Sequence, residues 1–570
     1  MLGSTPYPDK FPKLPKLAAL EKSAREIQQP FTRPPINVTF EDGPNAAGVF
    51  QNACNNCGDC CSGCNYGAKN TTLMNYLPDA KKHGAEIFTG ATVLWVEKNA
   101  SGKGWSVCVG NTGEVGAGVN PRRLMADVVV LAGGTLGSTE ILLRTREKTG
   151  LALSDTLGSK FSGNGDVLAF GYNANLAETS DATKRPPVYS VGAGHNKPDQ
   201  PQYQPGPCIA GLVDMRDPSR PLKDGLVIEE GVMPGALAMG YSAIFFMADA
   251  LNGDISQFSD TELRLKDAQQ LGDTMLNNAT GLAAAAYDGP MSRTQCYLVM
   301  SHDDSAGVVS LKHNRPVVTW EGAGREDTIV NDNDTLHKAS NAIWAEFLPN
   351  PLWQNEFGNK LVTVHPIGGC PMGDNASLGV VNDECEVLDP GSKDGTGVHE
   401  GLFVCDGSVL PGSLGVNPLL TISAVSERAI ENLASKKGWK INWSKNAAEP
   451  KPEKNASLVA TAFSGLSLSP AMELQVVISA FEKIVKDIDA GDLDQAKTDI
   501  HTVYTLAISA LGGSGDALPS WSTIQTFLTD TQLTKTVGPV LTEFLPMLKE
   551  IEKALQANDY GQVIAILERE

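Results

Sequence analysis

Apolar residues fall into two kinds of run along the chain. Leu73, Tyr76, Leu77 and Ala80 recur at helical spacing and stop at Gly84, which predicts a helix there. A second helical piece is read near 17–28 in a proline-rich start. AEIFTGATVLWVEK and WSVCVG read as strands joined by a turn at 100–104. ADVVVLAGGTLGSTEILLRTR gives the sharpest local signal. It predicts a buried strand over 128–131, a small-residue turn, and a helix carrying Ile141, Leu142 and Leu143. From 166 to about 350, short runs such as LVIEEGVMP, CYLVMSHDD, GVVSLKH and PVVTWEG alternate with loops and predict an antiparallel sheet. Residues 445–456, KNAAEPKPEKNA, read as a charged linker. Beyond it Leu474, Val477, Ile478, Phe481, Ile484, Val485 and Ile488 form a helical stripe that Gly491 ends, and FLPMLKEIEKAL predicts a later helix.

Charge narrows the possible partners. The 570 residues carry a formal charge of −20, so a polyanion such as nucleic acid or an anionic membrane surface would be repelled. No apolar run is long enough to cross a bilayer, and MLGSTPYPDKFPKLPK lacks the apolar core of a signal peptide. The expected compartment is cytoplasmic. Eleven cysteines, an odd number, argue against a disulfide scaffold. Cys54, Cys57, Cys60 and Cys64 have the spacing C-x2-C-x2-C-x3-C, with Cys61 extra. Ferredoxin-type iron–sulfur ligands share this spacing, but Asn65 stands where proline is usual. One iron–sulfur cluster, a zinc site and plain packed thiols remain alternatives. His302, Asp303 and Asp304 read as a turn and not a metal site, because neighbours on a strand face opposite sides.

Five segments occur in an order that resembles the glucose–methanol–choline (GMC) family of flavin alcohol oxidoreductases, cholesterol-oxidase-like branch. They are CGDCCSGCNYGAKNTT, VVLAGGTLGSTEILLR, FSGNGD, HPIGGCPMG and LFVCDGSVLPGSLGVNPLLTISAVSERA. The resemblance implies a mixed α/β fold with flavin adenine dinucleotide (FAD) as cofactor and a small-molecule alcohol, hydrophobic or sterol-like, as substrate. On that basis 1–45 is an extended segment, 46–165 a first FAD-binding part, 166–355 an antiparallel-sheet substrate domain, and 356–440 a second FAD-binding part. The linker is taken as 441–456, and 457–570 as a C-terminal all-α module. Carried over by position, His365 is the base and Asn417 its partner. Histidine suits the role because its pKa lies near working pH, and the Asn417 carboxamide can donate to a substrate oxygen. Asn417-Pro418 also reads as the start of a helix whose positive end would face the flavin. Asp406 and Gly407 would meet the ribityl and phosphate region, and Ala132, Gly133 and Gly134 would line the nucleotide. Val93 would reach the adenine, and Asn164 would lie near the flavin. Glu229 is the candidate assisting carboxylate, with Glu230 close behind. The glycines of HPIGGCPMG are expected to let the backbone approach the flavin ring.

The family's N-terminal strand–GxGxxG–helix does not occur in these 570 residues. Three explanations follow: a separate Rossmann subunit, a truncated sequence, or loss of flavin. A non-catalytic assembly subunit and an electron-transfer protein built on the cysteines are the rival functions.

Overall fold

The computed structural model describes residues 5–112, 121–181, 184–192, 204–235, 287, 289–353 and 359–441, plus four isolated positions between 486 and 553. The chain divides into two compact units, Met1–Ala456 and Ser457–Glu570. The helical module expected over 457–570 lies outside the described residues except at those four positions.

Among the described residues the α-helices are α1 (Pro15–Glu26), α2 (Tyr76–Lys82), α3 (Gly134–Thr149), α4 (Gly289–Ser292), α5 (Asp327–Asn341) and α6 (Leu419–Lys437). The strands are β1 (Phe31–Thr32), β2 (Gly43–Pro44), β3 (Phe50–Gln51), β4 (Ala91–Lys98), β5 (Trp105–Asn111), β6 (Arg122–Ala126), β7 (Val129–Leu131) and β8 (Val167–Tyr172). They continue with β9 (Leu212–Asp214), β10 (Val227–Gly231), β11 (Gln295–Met300), β12 (Val308–Lys312), β13 (Arg315–Thr319), β14 (Glu346–Pro349), β15 (Glu386–Leu388) and β16 (Val398–Val404). The fold is mixed α/β.

The largest sheet has six strands in the order β1-β9-β10-β11-β8-β14, every pair antiparallel. Of the runs expected to form a sheet after residue 166, those that hold β10 and β11 join this one, whereas β12 and β13 pair apart as a hairpin. The two faces of the six-stranded sheet differ because side chains alternate along each strand. One face carries Val213, Ile228, Tyr297, Val299, Val167 and Ala169, which pack with Leu20 and Ala24 of α1 and Ile329, Leu336 and Ala339 of α5. On the opposite face a cross-strand row runs Leu212–Glu229–Leu298–Leu168, each pair in direct register. A carboxyl group therefore sits in a line of leucines.

A second sheet, β15-β16-β7, pairs β7 with β16 in parallel. β7 runs straight into α3, as the strand–turn–helix signal indicates. The turn needs glycine at Gly134, where φ is +75°, and α3 stops at Gly150 in the left-handed conformation. The third sheet, β4-β5-β6, is antiparallel. The β12–β13 hairpin turns on His313 and Asn314, both at positive φ. Arg144 of α3 reaches across to the Asn314 side chain and carbonyl at 3.0 and 2.7 Å. No helix among the described residues is long and apolar enough to cross a membrane.

The adjacent carboxyls of β10 part company. Glu230 lies on the α1 face, fully buried, with Lys16 Nζ 2.5 Å from one oxygen. The Ala210 and Gly211 amides donate to the other oxygen. This corrects the expectation that Glu230 could stand in for Glu229: a period of two sends neighbours to opposite faces.

Candidate active site

His365 is fixed by its backbone before its ring is considered. Ser162 and Ile367 exchange backbone hydrogen bonds of 3.0 Å each, and Thr135 Oγ1 donates to the Pro366 carbonyl at 2.7 Å. The glycines that follow have a different task from the one expected. A Cβ on Gly368 would collide with the Lys160 carbonyl oxygen, and one on Gly369 with the Thr139 hydroxyl. Their φ angles are +83° and +100°. They permit close approach to the protein's own backbone and to α3.

Asp166, which the motif search passed over, sits directly behind His365. It is 2% exposed. Its Oδ1 lies 2.9 Å from His365 Nδ1. Its Oδ2 accepts from Val364 N (2.8 Å), His365 N (3.1 Å) and Thr363 Oγ1 (3.0 Å). The only sequence hint was an acid two positions after Asn164 in FSGNGD.

Asn417 and Glu229 form the second half. Asn417 Nδ2 donates to Glu229 Oε2 at 3.2 Å. Asn164, expected beside the flavin, is fully buried, and its amide holds the chain before Asn417. Its Oδ1 accepts from Leu414 N and its Nδ2 donates to Val416 O, both at 2.8 Å. Asp303 in turn accepts from Ser162 Oγ and Gly165 N at 2.9 Å, tying the Asn164 turn to the loop after β11. His302–Asp304 form no strand, as read from the sequence.

Burial pushes the Glu229 carboxyl up from 4.5 to about 7. The Asn417 hydrogen bond and His365 oppose the rise, and Glu230 and Asp166 add to it. A carboxyl that binds its proton more tightly folded than unfolded contributes fully at low pH. That contribution fades as pH rises from about 4.5 through 7. Glu229→Gln should therefore flatten the decline of unfolding free energy between pH 5 and pH 8, by up to about 3 kcal/mol. Asp332, also raised to about 7 by burial, keeps the same sign in both proteins. Urea titrations at the two pH values check this. An unchanged slope in the variant would mean Glu229 is not the group responsible.

The residues expected on the cofactor side are placed as follows. Ala132 and Gly133 are exposed at the end of β7, with Gly134 behind them. Asp406 is 7% exposed. Its carboxylate accepts from Gly134 N (3.0 Å), Ser138 Oγ (2.5 Å), Ser408 N (2.9 Å) and Ser408 Oγ (2.5 Å). It thus anchors the start of α3. Gly407 is buried against Thr135, Pro366 and Ile422. Val93 borders a β-bulge in β4, where the register with β5 shifts. Pro418 precedes α6, which opens without a side-chain cap.

The cysteine loop gives a correction. Among the described residues no group of three His, Cys, Asp or Glu side chains is placed to hold a metal. The iron–sulfur and zinc readings of Cys54, Cys57, Cys60 and Cys64 find no support among the described residues. Three of these sulfurs accept backbone amides instead: Cys54 from Asn56 (3.4 Å), Cys60 from Cys208 (3.4 Å) and Cys64 from Lys69 (3.3 Å). Burial pushes the Cys54 and Cys57 thiols up, to about 12 and about 11. Left-handed turns at Asn56, Gly58, Gly63 and Cys64 shape the loop, and spacing alone does not reveal them.

These features define a mixed α/β protein in which His365 rests on Asp166 and Asn417 on Glu229 of the antiparallel sheet. Family models described as GMC oxidoreductase match residues 29–152 with the N-terminal domain and 327–426 with the C-terminal domain. Those two stretches of the chain are thus similar to the two domains of GMC oxidoreductases. It is 26% identical over 396 residues to a cholesterol oxidase of Mycobacterium tuberculosis, an alignment covering 67% of this chain and 59% of that one. It is 24% identical over 396 residues to the long-chain-alcohol oxidase FAO4B of Arabidopsis thaliana, covering 67% and 47%. The chain thus spans less than two thirds of the length of these relatives. A solved FAD-dependent oxidoreductase from Chaetomium thermophilum aligns with a TM-score of 0.42 and 13% identity, covering 76% of this chain and 74% of that one.

Proposed function

We propose that this chain forms the larger part of an FAD-dependent oxidoreductase that converts a hydrophobic alcohol to the carbonyl compound. The observation that carries this reading is the meeting of two pairs at one place. His365 rests on Asp166, and Asn417 rests on Glu229, whose proton affinity responds to His365 and Asp166. His365 accepts the hydroxyl proton of the alcohol. Asn417, half of whose amide remains to hydrogen-bond, orients the same oxygen. Glu229, pushed up to about 7, keeps part of its proton at neutral pH and in that form supplies a neutral hydrogen-bonding group in place of a second negative charge. Leu212, Leu298 and Leu168 flank that carboxyl along the sheet. They give the substrate side an apolar floor suited to a sterol-like or long-chain alcohol, in keeping with the names of the relatives.

The residues present fit FAD on two observations. α6 begins uncapped, so its first-turn N–H groups offer positive charge to an anionic ring edge. The β7–α3 turn exposes only small side chains, at Ala132 and Gly133, where a nucleotide can approach. Ala132, Gly133, Val93 and the α6 N-terminus would hold the cofactor, and Asp406 would act indirectly by fixing α3. When bound, FAD supplies the hydride acceptor.

The glycine fingerprint for the pyrophosphate would come from polypeptide outside these 570 residues, a separate subunit being our choice. β7 lends support: among the described residues its outer edge pairs with no strand, and Val130 is 38% exposed. Co-expression with that partner should give a flavoprotein whose absorbance bleaches anaerobically with a sterol or a long-chain alcohol and not with a short polyol. Persistence of oxidised flavin with every hydrophobic alcohol would sink the reading.

A further inference from the structure

We infer that Asp166 is the positioning residue of this site: it fixes the tautomer of His365 so that Nε2, and not Nδ1, is the proton acceptor. The inference rests on the proposed role of His365 and goes further, to the atom that acts and to the residue that selects it.

The two carboxylate oxygens of Asp166 do different work. Oδ2 takes three donors, from Val364 N, His365 N and the Thr363 hydroxyl, at 2.8–3.1 Å. Oδ1 is the nearer oxygen to the imidazole, 2.9 Å from Nδ1, with Oδ2 at 3.1 Å from the same atom. Val364 N and His365 N point at one oxygen, the Thr363 hydroxyl divides its hydrogen between that oxygen and the Gly163 carbonyl, and a carboxylate can only accept. The Nδ1 atom must therefore carry hydrogen and donate it. Neutral imidazole has one N–H, so the lone pair lies on Nε2. No described residue hydrogen-bonds Nε2, and the ring is 15% exposed. The same carboxylate also sets the backbone of 363–365, so the direction of the ring and the location of its lone pair share one anchor.

An asparagine at 166 would reverse the tautomer with little change of shape. Its single oxygen must occupy the Oδ2 position, because two backbone amides already point there. Its amide nitrogen then takes the nearer place, 2.9 Å from Nδ1, as a donor, while the oxygen stays 3.1 Å away. Nδ1 becomes the acceptor, and the hydrogen moves to Nε2, where a base is needed.

The test uses the full chain labelled with 15N-histidine. His365 is assigned as the signal lost in His365→Gln. Long-range 1H–15N spectra at a pH where the ring is neutral should show Nδ1–H in the parent and Nε2–H in Asp166→Asn. With the cofactor-loaded complex, Asp166→Asn should lower the rate constant for flavin reduction by alcohol about 10²–10⁴-fold and leave KM nearly unchanged. Asp166→Glu, which keeps a carboxylate, should retain Nδ1–H and recover part of the rate. An Nε2–H signal in the parent overturns the inference with no variant needed, and so does retention of Nδ1–H in Asp166→Asn. A reversed tautomer with unimpaired flavin reduction overturns the catalytic role of His365 and, with it, the function assigned to Asp166. A purely structural role would move melting temperature and KM but not the tautomer.

Discussion

Replacing His365 with glutamine should slow the reduction of bound flavin by alcohol about 10³-fold while leaving the fold and flavin binding intact. The expected size follows from the loss of one base. Glutamine is close in length and polarity, but its amide cannot take a proton near neutral pH. The surrounding framework should survive, because most of it is backbone. Asp166 Oδ2 still receives Val364 N and the residue-365 amide, and the Ser162–Ile367 bridge does not involve the ring. Stopped-flow anaerobic reduction measures the effect directly, and flavin content is read from the same sample. A variant that bleaches as fast as the parent would remove His365 from the chemistry. Asn417→Ala is a useful comparison. It frees the Glu229 carboxyl from its donor, so burial acts with less opposition and the Glu229 proton should be held still more tightly.

Lys16→Met should destabilise the N-terminal unit by about 3–5 kcal/mol. Lys16 and Glu230 are both fully buried. Lys16 Nζ also donates to the Pro207 carbonyl at 2.6 Å. Removing the ammonium leaves a carboxylate inside the protein with only two backbone amides for compensation, and it leaves a carbonyl unpaired. Adding Glu230→Gln should restore much of the loss, because a neutral amide oxygen still accepts from Ala210 and Gly211 without a buried charge. Chemical denaturation of the three proteins forms the cycle. A single variant within about 0.5 kcal/mol of the parent would show that the pair contributes nothing beyond packing. The effect should reach the site as well. Glu230 secures the strand that presents Glu229, so a loosened β10 should also raise KM for alcohol.

What could be read along the chain was local. Val129 to Thr149 form a strand, a turn and a helix whose signals all lie within about twenty residues, and the structure places them nearly where periodicity does. The histidine and the asparagine became candidates because each sits in a string that resembles a family motif. Asp166 did not. It acts on a residue 199 positions away, and an acid in a glycine-rich turn is ordinary by itself. Lys16 was equally hidden: a lysine in the first turn of a helix normally faces water, and its partner lies 214 positions further on. The cysteine loop misled for a related reason. Ligand spacing records order along the chain, whereas a metal site needs sulfurs aimed at one point, and these sulfurs are aimed at backbone amides.

The sequence by itself determined the antiparallel sheet after residue 166 and the strand-to-helix turn at Gly134; the candidate roles of His365 and Asn417 came from the family resemblance. The sheet and the turn rest on short-range periodicity. Only the tertiary structure decided which acid meets the histidine, which of two adjacent glutamates meets Asn417, and which backbone amides the cysteine sulfurs accept. Each of those is a question of direction and distance between segments far apart in the chain. It is answered only when a buried carboxylate meets the particular donors that packing brings to it.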